Sequence, residues 1–535
     1  MRAAGEGRAA RVAPTAGAQP PAGARTAGEQ SRPPGASRPR GESRSPGAAR
    51  LSGASRPPGA VARSFFTTAI VLLVALGVAL LLLYRHALGL PPGTVSIWQF
   101  IKLAFAQCAL AGAAGFVAWR APSSRRTLFV VIAFAALFRL WPLLAEPRLS
   151  DDLYRYVWDG RVQAAGINPY RYIPAEEPLA HLRDGAIYPK INRRDYAPTI
   201  YPPLAQMIFL ATTRVSESVT WMKLTMVAFE AAGVWAVVWL LASYGLPRQR
   251  VLLFAWHPLA VWEIAGSGHL DALVICFVCL ALVARRRGRD GLAGAMLACA
   301  ALVKFFPAVL APALYRRRGW RMPAAFAATF ALAYVPYLSV GLRRVVGFLP
   351  GYTNEEGLQN GVRFFILTLA RKIFGEAVPG WAYVLFALAA LAALAAWALR
   401  RGEEDVRGRG ACAPTARDPA AGGPAAPAPV GSTSVGRAFV LAAAFTVLLS
   451  PRYSWYFVWL VPFFPFTRPA LVAPVFYLTA ASFVLYRSWL GDKPEQMFAY
   501  GLVMYAPFAA LCLCAWLAAR SKSHDAGRPA ESFAG

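Results

Sequence analysis

The sequence is poor in charge for its length. Only 16% of its 535 residues are charged, whereas 57% are apolar and the mean hydropathy is +0.42. An ordinary soluble domain carries about 25% charged residues. The apolar residues also form runs long enough to cross a bilayer. The composition therefore excludes a soluble enzyme, a fibrous protein and a wholly disordered chain.

Cysteine is scarce as well, with seven residues in the chain, and six of them lie inside apolar runs. This dispersion excludes a disulfide framework. Cys276 and Cys279 are spaced like metal ligands but have no second pair nearby, so we interpret them as small packing residues. A signal peptide is not expected, because no apolar run begins before Phe65.

Aromatic residues are missing from residues 1–64, which hold eleven arginines against three glutamates. Such a segment cannot bury enough apolar surface to fold, so we expect a disordered basic tail on the cytoplasmic side. A surface for anionic lipid is the alternative interpretation. The net charge of +29 does not favour nucleic acid, since basic residues collect on cytoplasmic loops of membrane proteins.

The distribution of arginine also predicts the topology. Two arginine-rich loops, 284–290 and 315–321, flank the apolar run 291–315, and both should be cytoplasmic. A single crossing cannot return to its starting side. We therefore predict a re-entrant helical hairpin whose tip lies near Lys304 and whose first half is stopped by Pro307.

With that hairpin the chain is predicted to be an all-α polytopic membrane protein of about 12–14 transmembrane helices. Its membrane domain spans 65–519, followed by a cytoplasmic C-terminal tail at 520–535. The Ala/Pro/Gly-rich stretch 400–436 is predicted to be a flexible cytoplasmic linker. The segments predicted to lie outside are 147–218, 341–377, 450–454 and 488–496.

The long outer loop 147–218 is dense in acidic and aromatic residues. Asp151 and Asp152 follow the membrane exit directly, where a carboxylate beside an apolar cavity can act as a general base. The alternative is an N-cap at the start of a helix. Arg155, one helical turn after Asp151, is expected to neutralise it and to leave Asp152 as the freer carboxylate.

Further residues of this loop are candidates for substrate contacts. In a helix over DDLYRYVWDGRV, Asp152, Tyr156 and Asp159 share one face. Rigid turns at Asn168-Pro169-Tyr170 and Tyr201-Pro202-Pro203 add aromatic rings that suit sugar faces.

Ionisable residues inside membrane spans are costly and therefore indicate function. A Gly-Ser-Gly turn predicted at the outer mouth is flanked by Glu263, His269 and Asp271. These residues could alternatively bind a metal ion, although their spacing does not match a known zinc motif. Lys304 at the hairpin tip and Arg452 at the outer end of a later span are suited to an anionic headgroup. For Lys304 the alternative is a side chain that only extends to the membrane interface.

Five motifs carry a resemblance to a known family. They are SDDLYRYVWDGRVQAAGINPY (150–170), TIYPPLAQ (199–206), WHPLAVWEIAGSGHLDAL (256–273), LVKFFPAVLAPAL (302–314) and SPRYSWY (450–456). Together they resemble the GT-C superfamily of membrane glycosyltransferases, in particular glycosyltransferase family 87 and bacterial polyprenyl-phosphate-mannose-dependent mannosyltransferases. The acidic loop follows the third span here rather than the first, and the basic tail and the linker have no clear counterpart.

The resemblance implies an inverting transfer of a hexose, by preference mannose, from a polyprenyl-phosphate donor to a glycolipid or glycan acceptor at the outer face of the plasma membrane. Asp152, or its neighbour Asp151, would be the base, and Lys304 and Arg452 would bind the donor phosphate. The predicted substrate contacts are Tyr156, Asp159, Asn168, Tyr170, Tyr201, Glu263, His269 and Asp271. No cofactor is required by this scheme, and dependence on a divalent cation stays open.

A transporter or flippase of lipid-linked sugars is the competing interpretation, since it shares the many spans and the broken helix. The large acidic and aromatic outer loop favours the transferase, because the key charges of a transporter lie near the middle of the membrane.

Overall fold

The computed structural model describes residues 58–91, 94–316, 319–357, 364–411, 433–490 and 494–525. Most of the predicted basic tail, much of the predicted linker and the end of the C-terminal tail lie outside these residues. Within them, all regular structure is helical, which confirms the predicted all-α polytopic class.

The α-helices are α1 (Pro58–Leu88), α2 (Thr94–Arg120), α3 (Arg125–Leu144), α4 (Asp152–Ala164), α5 (Pro203–Thr213), α6 (Val219–Ser243), α7 (Leu252–Ala255), α8 (Pro258–Ala260), α9 (Asp271–Arg286), α10 (Asp290–Ala301), α11 (Ala311–Leu314), α12 (Arg321–Tyr334), α13 (Leu349–Glu355), α14 (Phe365–Phe374), α15 (Gly380–Ala411), α16 (Ser434–Leu449), α17 (Pro469–Ala481) and α18 (Pro494–Asp525). A π-helical turn covers Val261–Gly266, and 3₁₀ segments cover Glu177–Leu182, Tyr188–Lys190, Arg248–Val251, Phe306–Leu310, Val335–Val340, Ser454–Phe466 and Ser482–Leu490.

Eight helices among the described residues are long and apolar enough to cross a membrane, and a bent pair raises the number to nine. Four shorter apolar helices of 10–17 residues accompany them. The predicted total of 12–14 is therefore reached only when the short helices are counted as spans. The chain is a multi-pass membrane protein.

Two breaks in apolar segments bring polar side chains together. The first lies between Pro258–Gly266 and Asp271–Arg286, where the chain bends by 120°. Gly268 sits in this turn with φ +73°, and a Cβ there would lie 2.7 Å from Leu153 of α4. Only glycine permits both the backbone angle and this approach, so the turn packs against the start of α4.

The second break follows α10, which ends at Ala301, and regular structure resumes as the 3₁₀ segment Phe306–Leu310. Lys304 lies between them, where the sequence predicts the tip of the hairpin. Pro307 cannot continue the hydrogen-bond ladder of the preceding helix, which accounts for the interruption.

The end of α3 is held by a buried lysine from α6. Lys223 donates from Nζ to the carbonyl oxygens of Pro142 and Ala145, at 2.5 and 2.7 Å. These carbonyls are left without helical partners at the end of α3, and the cation satisfies them. The end of α3 is therefore held in a fixed position, a few residues before Asp151.

A buried ion pair joins α3 to α6. Arg139 donates to both carboxylate oxygens of Glu230, with Nε–Oε2 at 2.7 Å and Nη2–Oε1 at 2.5 Å. Arg139→Met should lower the free energy of unfolding by about 3–5 kcal/mol, because it leaves a buried carboxylate uncompensated. The loss should appear as a lower melting temperature in detergent. The double variant Arg139→Met/Glu230→Gln should recover part of that loss, and failure to recover any would contradict this account.

Candidate active site

One cavity of about 970 Å³ is lined by residues from three of the four segments that the sequence predicts on the outer side, 147–218, 341–377 and 450–454. It is lined by the loop after α3, the break after α10, the region of α13 and α14, the turn after α16, and α18. Four predicted site residues in the outer loop and the break, Asp151, Asp152, Tyr201 and Lys304, lie in its wall together with Arg452.

The two aspartates are joined by one amide. Asn192 donates from Nδ2 to Oδ1 of Asp152 at 2.6 Å and to Oδ1 of Asp151 at 3.1 Å. Asp151 occupies the N-cap position of α4, but its side chain makes no capping hydrogen bond. Ser150 instead accepts from the Asp152 amide at 3.2 Å. The two carboxylates therefore face the cavity and do not cap the N-terminus of α4.

The predicted pairing of Arg155 with Asp151 is wrong. Arg155 donates from Nε to Asp159 at 2.8 Å, one turn further along the same helix, and both side chains are buried. Asp159 also accepts from Thr199 and from Gln206, the latter at 2.9 Å. Its carboxylate is therefore satisfied inside the protein, and it braces the wall instead of meeting substrate as predicted.

Other predicted contacts also lie outside the lining of the cavity. Tyr156 is buried and stacks on Phe209 with ring centroids 4.6 Å apart. Asn168 donates to the carbonyl of Tyr337 at 2.9 Å, and Tyr170 donates to the carbonyl of Tyr201 at 2.7 Å. The Tyr170 bond holds the turn at Tyr201, and none of these three residues lines the cavity, so the geometry favours a supporting role over the predicted substrate contact.

Tyr201 itself reaches the cavity. Burial and, next, the negative charge of Asp152 raise the pKa of its phenol well above the usual value. The phenol therefore stays protonated and is a hydrogen-bond donor at the pH at which cells grow.

The two predicted phosphate-binding cations differ in their surroundings. Lys304 donates from Nζ to Oδ2 of Asp271 at 2.6 Å and lies 4.5 Å from the centre of the Tyr456 ring. Its charge is therefore largely offset by a buried carboxylate. Arg452 follows Ser450, whose φ of +47° turns the chain sharply, and no salt bridge between described residues includes it.

Glu263, His269 and Asp271 are all buried and lie outside the lining residues of the cavity. The prediction that they orient acceptor hydroxyls is corrected accordingly. His269 instead lies directly behind the base candidate, with Nε2 3.9 Å from Oδ2 of Asp152. Its other ring nitrogen, Nδ1, is 2.9 Å from Glu263.

Sequence reasoning missed Arg193, which lines the cavity and donates to Glu355 of α13 at 2.7 Å. Arg193 and Glu355 are 162 residues apart in the chain, so no local pattern reveals the pair. The predicted outer residues Arg343 and Arg344 are exposed and lie outside the lining, and Arg363 falls outside the described residues.

Aromatic rings and apolar side chains form the rest of the wall. Tyr453 and Trp455 stack with centroids 4.4 Å apart and planes at 6°. At another part of the cavity, Phe365 of α14 stacks on Tyr505 of α18 at 4.9 Å. The cavity thus combines carboxylates, cations, stacked rings and an apolar region, which suits an amphiphile with a polar head.

Among the described residues no group of three or more His, Cys, Asp or Glu side chains is arranged to hold a metal ion. The cluster of Glu263, His269 and Asp271, weighed as a metal site from the sequence, is engaged in hydrogen bonds and ion pairs within the protein.

Comparison with known proteins gives two matches. Residues 61–316 match the sequence model of a family described as Alpha-(1->6)-mannopyranosyltransferase, N-terminal domain. Alpha-(1->6)-mannopyranosyltransferase A of Mycobacterium tuberculosis (strain ATCC 25618 / H37Rv) is 24% identical over 230 residues, covering 41% of this chain and 45% of that protein. The chain thus matches less than half the length of this curated relative. No solved structure matches.

The matched region holds the acidic pair, its Asn192 bridge, the bent helix pair and Lys304, whereas Arg452 lies beyond it. The motifs that carry the resemblance in the sequence are the ones that the fold gathers around the cavity. The predicted resemblance is confirmed: over residues 61–316 the chain is similar to the membrane mannosyltransferases of the GT-C type.

Proposed function

We propose that this protein transfers a hexose from a polyprenyl-phosphate carrier to a glycolipid or glycan acceptor. The observation that carries the proposal is the composition of one cavity, in which a carboxylate pair, an apolar region and three cations, Arg193, Lys304 and Arg452, meet. A sugar transferase with a lipid-phosphate donor needs a base, a site for the phosphate and a path for the lipid tail. The described cavity offers a group for each.

The sugar is proposed to be mannose, because both matches bear the name of an alpha-(1->6)-mannopyranosyltransferase. Inverting displacement at a β-linked carrier sugar would give an α-linked product. An α-(1→6) linkage to a mannose of the acceptor is the corresponding proposal for this chain.

In the proposed reaction Asp152 removes the proton of the acceptor hydroxyl, whose oxygen attacks the anomeric carbon. The bond from that carbon to the carrier phosphate breaks, and the polyprenyl phosphate leaves with the electron pair. Arg452 stabilises the charge on the leaving phosphate, with Lys304 as a secondary cation because of its pairing with Asp271. Asp152 is preferred to Asp151 because it is less exposed and lies beside His269.

The lipid tail of the donor is proposed to lie against α14 and α18, where Phe365, Met497, Phe498, Met504 and Tyr505 line the cavity. The reaction is proposed to take place at the outer face of the plasma membrane, with both termini in the cytoplasm. The support is the positive-inside pattern of the arginine-rich loops, which lie away from the cavity lining.

The proposal is tested with membranes that contain the protein, radiolabelled polyprenyl-phosphate mannose as donor and endogenous glycolipids as acceptors. A labelled glycolipid that forms with the wild-type chain and not with Asp152→Asn is the expected result. The transporter interpretation would be favoured if folded protein left the donor intact and the glycolipid unlabelled, and if donors with other hexoses were also inactive.

Asn192 provides a prediction about the acidic pair. Asn192→Asp should lower kcat by about 10²-fold, because a third carboxylate would replace the amide that bridges Asp151 and Asp152 and would repel both. Transfer rates at saturating donor would measure the effect. The matched control is Asn354→Asp in α13, outside the lining residues of the cavity, which should change kcat little. Equal rates for wild type and Asn192→Asp would refute the bridging role.

A further inference from the structure

A buried imidazole lies behind the acidic pair. His269 occupies the turn between the two halves of the bent helix pair, and only 1% of its side chain is exposed. Trp455 covers it, with ring centroids 4.3 Å apart. His269 therefore has no access to a substrate in the cavity, and it can influence the reaction only through the groups that it touches.

The two ring nitrogens face two carboxyl groups. Nδ1 lies 2.9 Å from Oε2 of Glu263, whose other oxygen accepts from the hydroxyl of Tyr486 at 2.6 Å. Nε2 points to Oδ2 of Asp152 at 3.9 Å and is buried without a hydrogen-bond partner among the described residues. The other charged groups near the ring are Asp151, Asp271 and Lys304.

The protonation states of Glu263 and His269 decide which ring nitrogen of His269 carries a hydrogen. A neutral Glu263 would donate to Nδ1 and leave the hydrogen on Nε2. An ionised Glu263 together with Asp152 would favour an imidazolium, which carries a hydrogen on both nitrogens. Only a neutral ring beside an ionised Glu263 would set a lone pair of Nε2 against the Asp152 carboxylate, and that arrangement places two acceptors face to face.

We propose that His269 is a positioning residue for the base: its Nε2–H holds Oδ2 of Asp152, and Glu263 holds Nδ1 so that the hydrogen stays on Nε2. Asn192 already holds Oδ1 of the same carboxylate at 2.6 Å. With both oxygens held, the carboxylate keeps one orientation and still has lone pairs for the acceptor hydroxyl. At 3.9 Å the two atoms are too far apart for a hydrogen bond, so the proposal requires Nε2 and Oδ2 to approach when substrates fill the cavity.

The inference rests on the proposed function, and two substitutions of His269 separate it from a purely structural role. The amide nitrogen of glutamine reaches the position of Nε2, so His269→Gln keeps a donor towards Asp152. Asparagine is shorter, so His269→Asn keeps a polar contact with Glu263 and loses the one with Asp152. A residue that merely filled the turn would tolerate asparagine at least as well as glutamine.

The expected result is a fall in kcat of about tenfold or less for His269→Gln and about 10²-fold for His269→Asn, with an unchanged KM for the donor in both. Rates are expressed per folded protein, measured by size-exclusion in detergent. His257→Asn is the matched control, since His257 is a buried histidine that contacts Thr479 at 3.0 Å outside the cavity lining. It should lower the folded yield without lowering kcat.

A second pair of variants covers the case in which His269→Asn does not fold. Glu263→Gln can donate to Nδ1 and accept from Tyr486, so it should lower kcat about tenfold or less. Glu263→Met fills similar volume without either hydrogen bond and should lower kcat about 10²-fold. Equal losses within both pairs would overturn the positioning role while leaving transfer itself intact. A wild-type chain that transfers no carrier hexose would instead overturn the proposed function, and this inference with it.

Discussion

Replacement of Asp152 by asparagine is expected to lower sugar transfer by about 10³-fold, the range associated with loss of a general base. Asparagine keeps the size of the side chain and can still pair with Asn192 after a rotation of its amide, so the fold should persist. It cannot accept the proton of the acceptor hydroxyl. The effect should appear in kcat at saturating donor, with little change in donor binding.

Asp151→Asn is the matched control for this variant, because it removes the neighbouring charge on the other side of the same amide. It should lower kcat by about tenfold or less, since Asp151 is exposed and lies further from His269. A large loss with Asp151→Asn and a small one with Asp152→Asn would move the role of base to Asp151.

Replacement of Arg452 by glutamine should lower kcat by about 10²- to 10³-fold, the usual effect of removing one donor that stabilises developing negative charge. Arg452 is expected to matter more than Lys304, because the charge of Lys304 is offset by Asp271 at 2.6 Å. The cation without a salt bridge in the described part of the chain is expected to contribute more to the leaving phosphate. Single-turnover rates with polyprenyl-phosphate mannose would measure this step.

Arg343→Gln provides the control for a general loss of positive charge, because Arg343 is exposed and lies outside the cavity lining. Its kcat should stay near that of the wild type. If both arginine variants lost the same small amount, the phosphate would have to be held by other groups, and Arg193 would be the next candidate.

Local sequence patterns correctly predicted the features that depend only on neighbouring residues. The apolar runs, the helix over DDLYRYVWDGRV and the interruption at Lys304 all depend on hydrophobicity and on proline, and these properties act within a few residues. The position of Asp151 and Asp152 shortly after the apolar helix α3 followed from the same reasoning. Residues of three of the four segments predicted outside, 147–218, 341–377 and 450–454, line one cavity.

The partners of buried charges could not be predicted in that way. Arg155 can reach either Asp151 or Asp159 by helical spacing, and only the packing of Thr199 and Gln206 around Asp159 decides between them. The depth of Glu263 and His269 depends on the 120° bend, whose angle no local pattern specifies. Glu263 and His269, predicted as contacts at the outer mouth, are for this reason buried behind the cavity wall near Asp152.

The most direct test of the account uses the purified protein in proteoliposomes with two donor preparations, one labelled in the mannose and one in the phosphate. We predict that mannose label enters an acceptor glycan while an equal amount of phosphate label appears as free polyprenyl phosphate, with the product α-linked. The contradicting result is a donor that crosses the bilayer with both labels still joined, which would make the protein a transporter of lipid-linked sugar rather than a transferase.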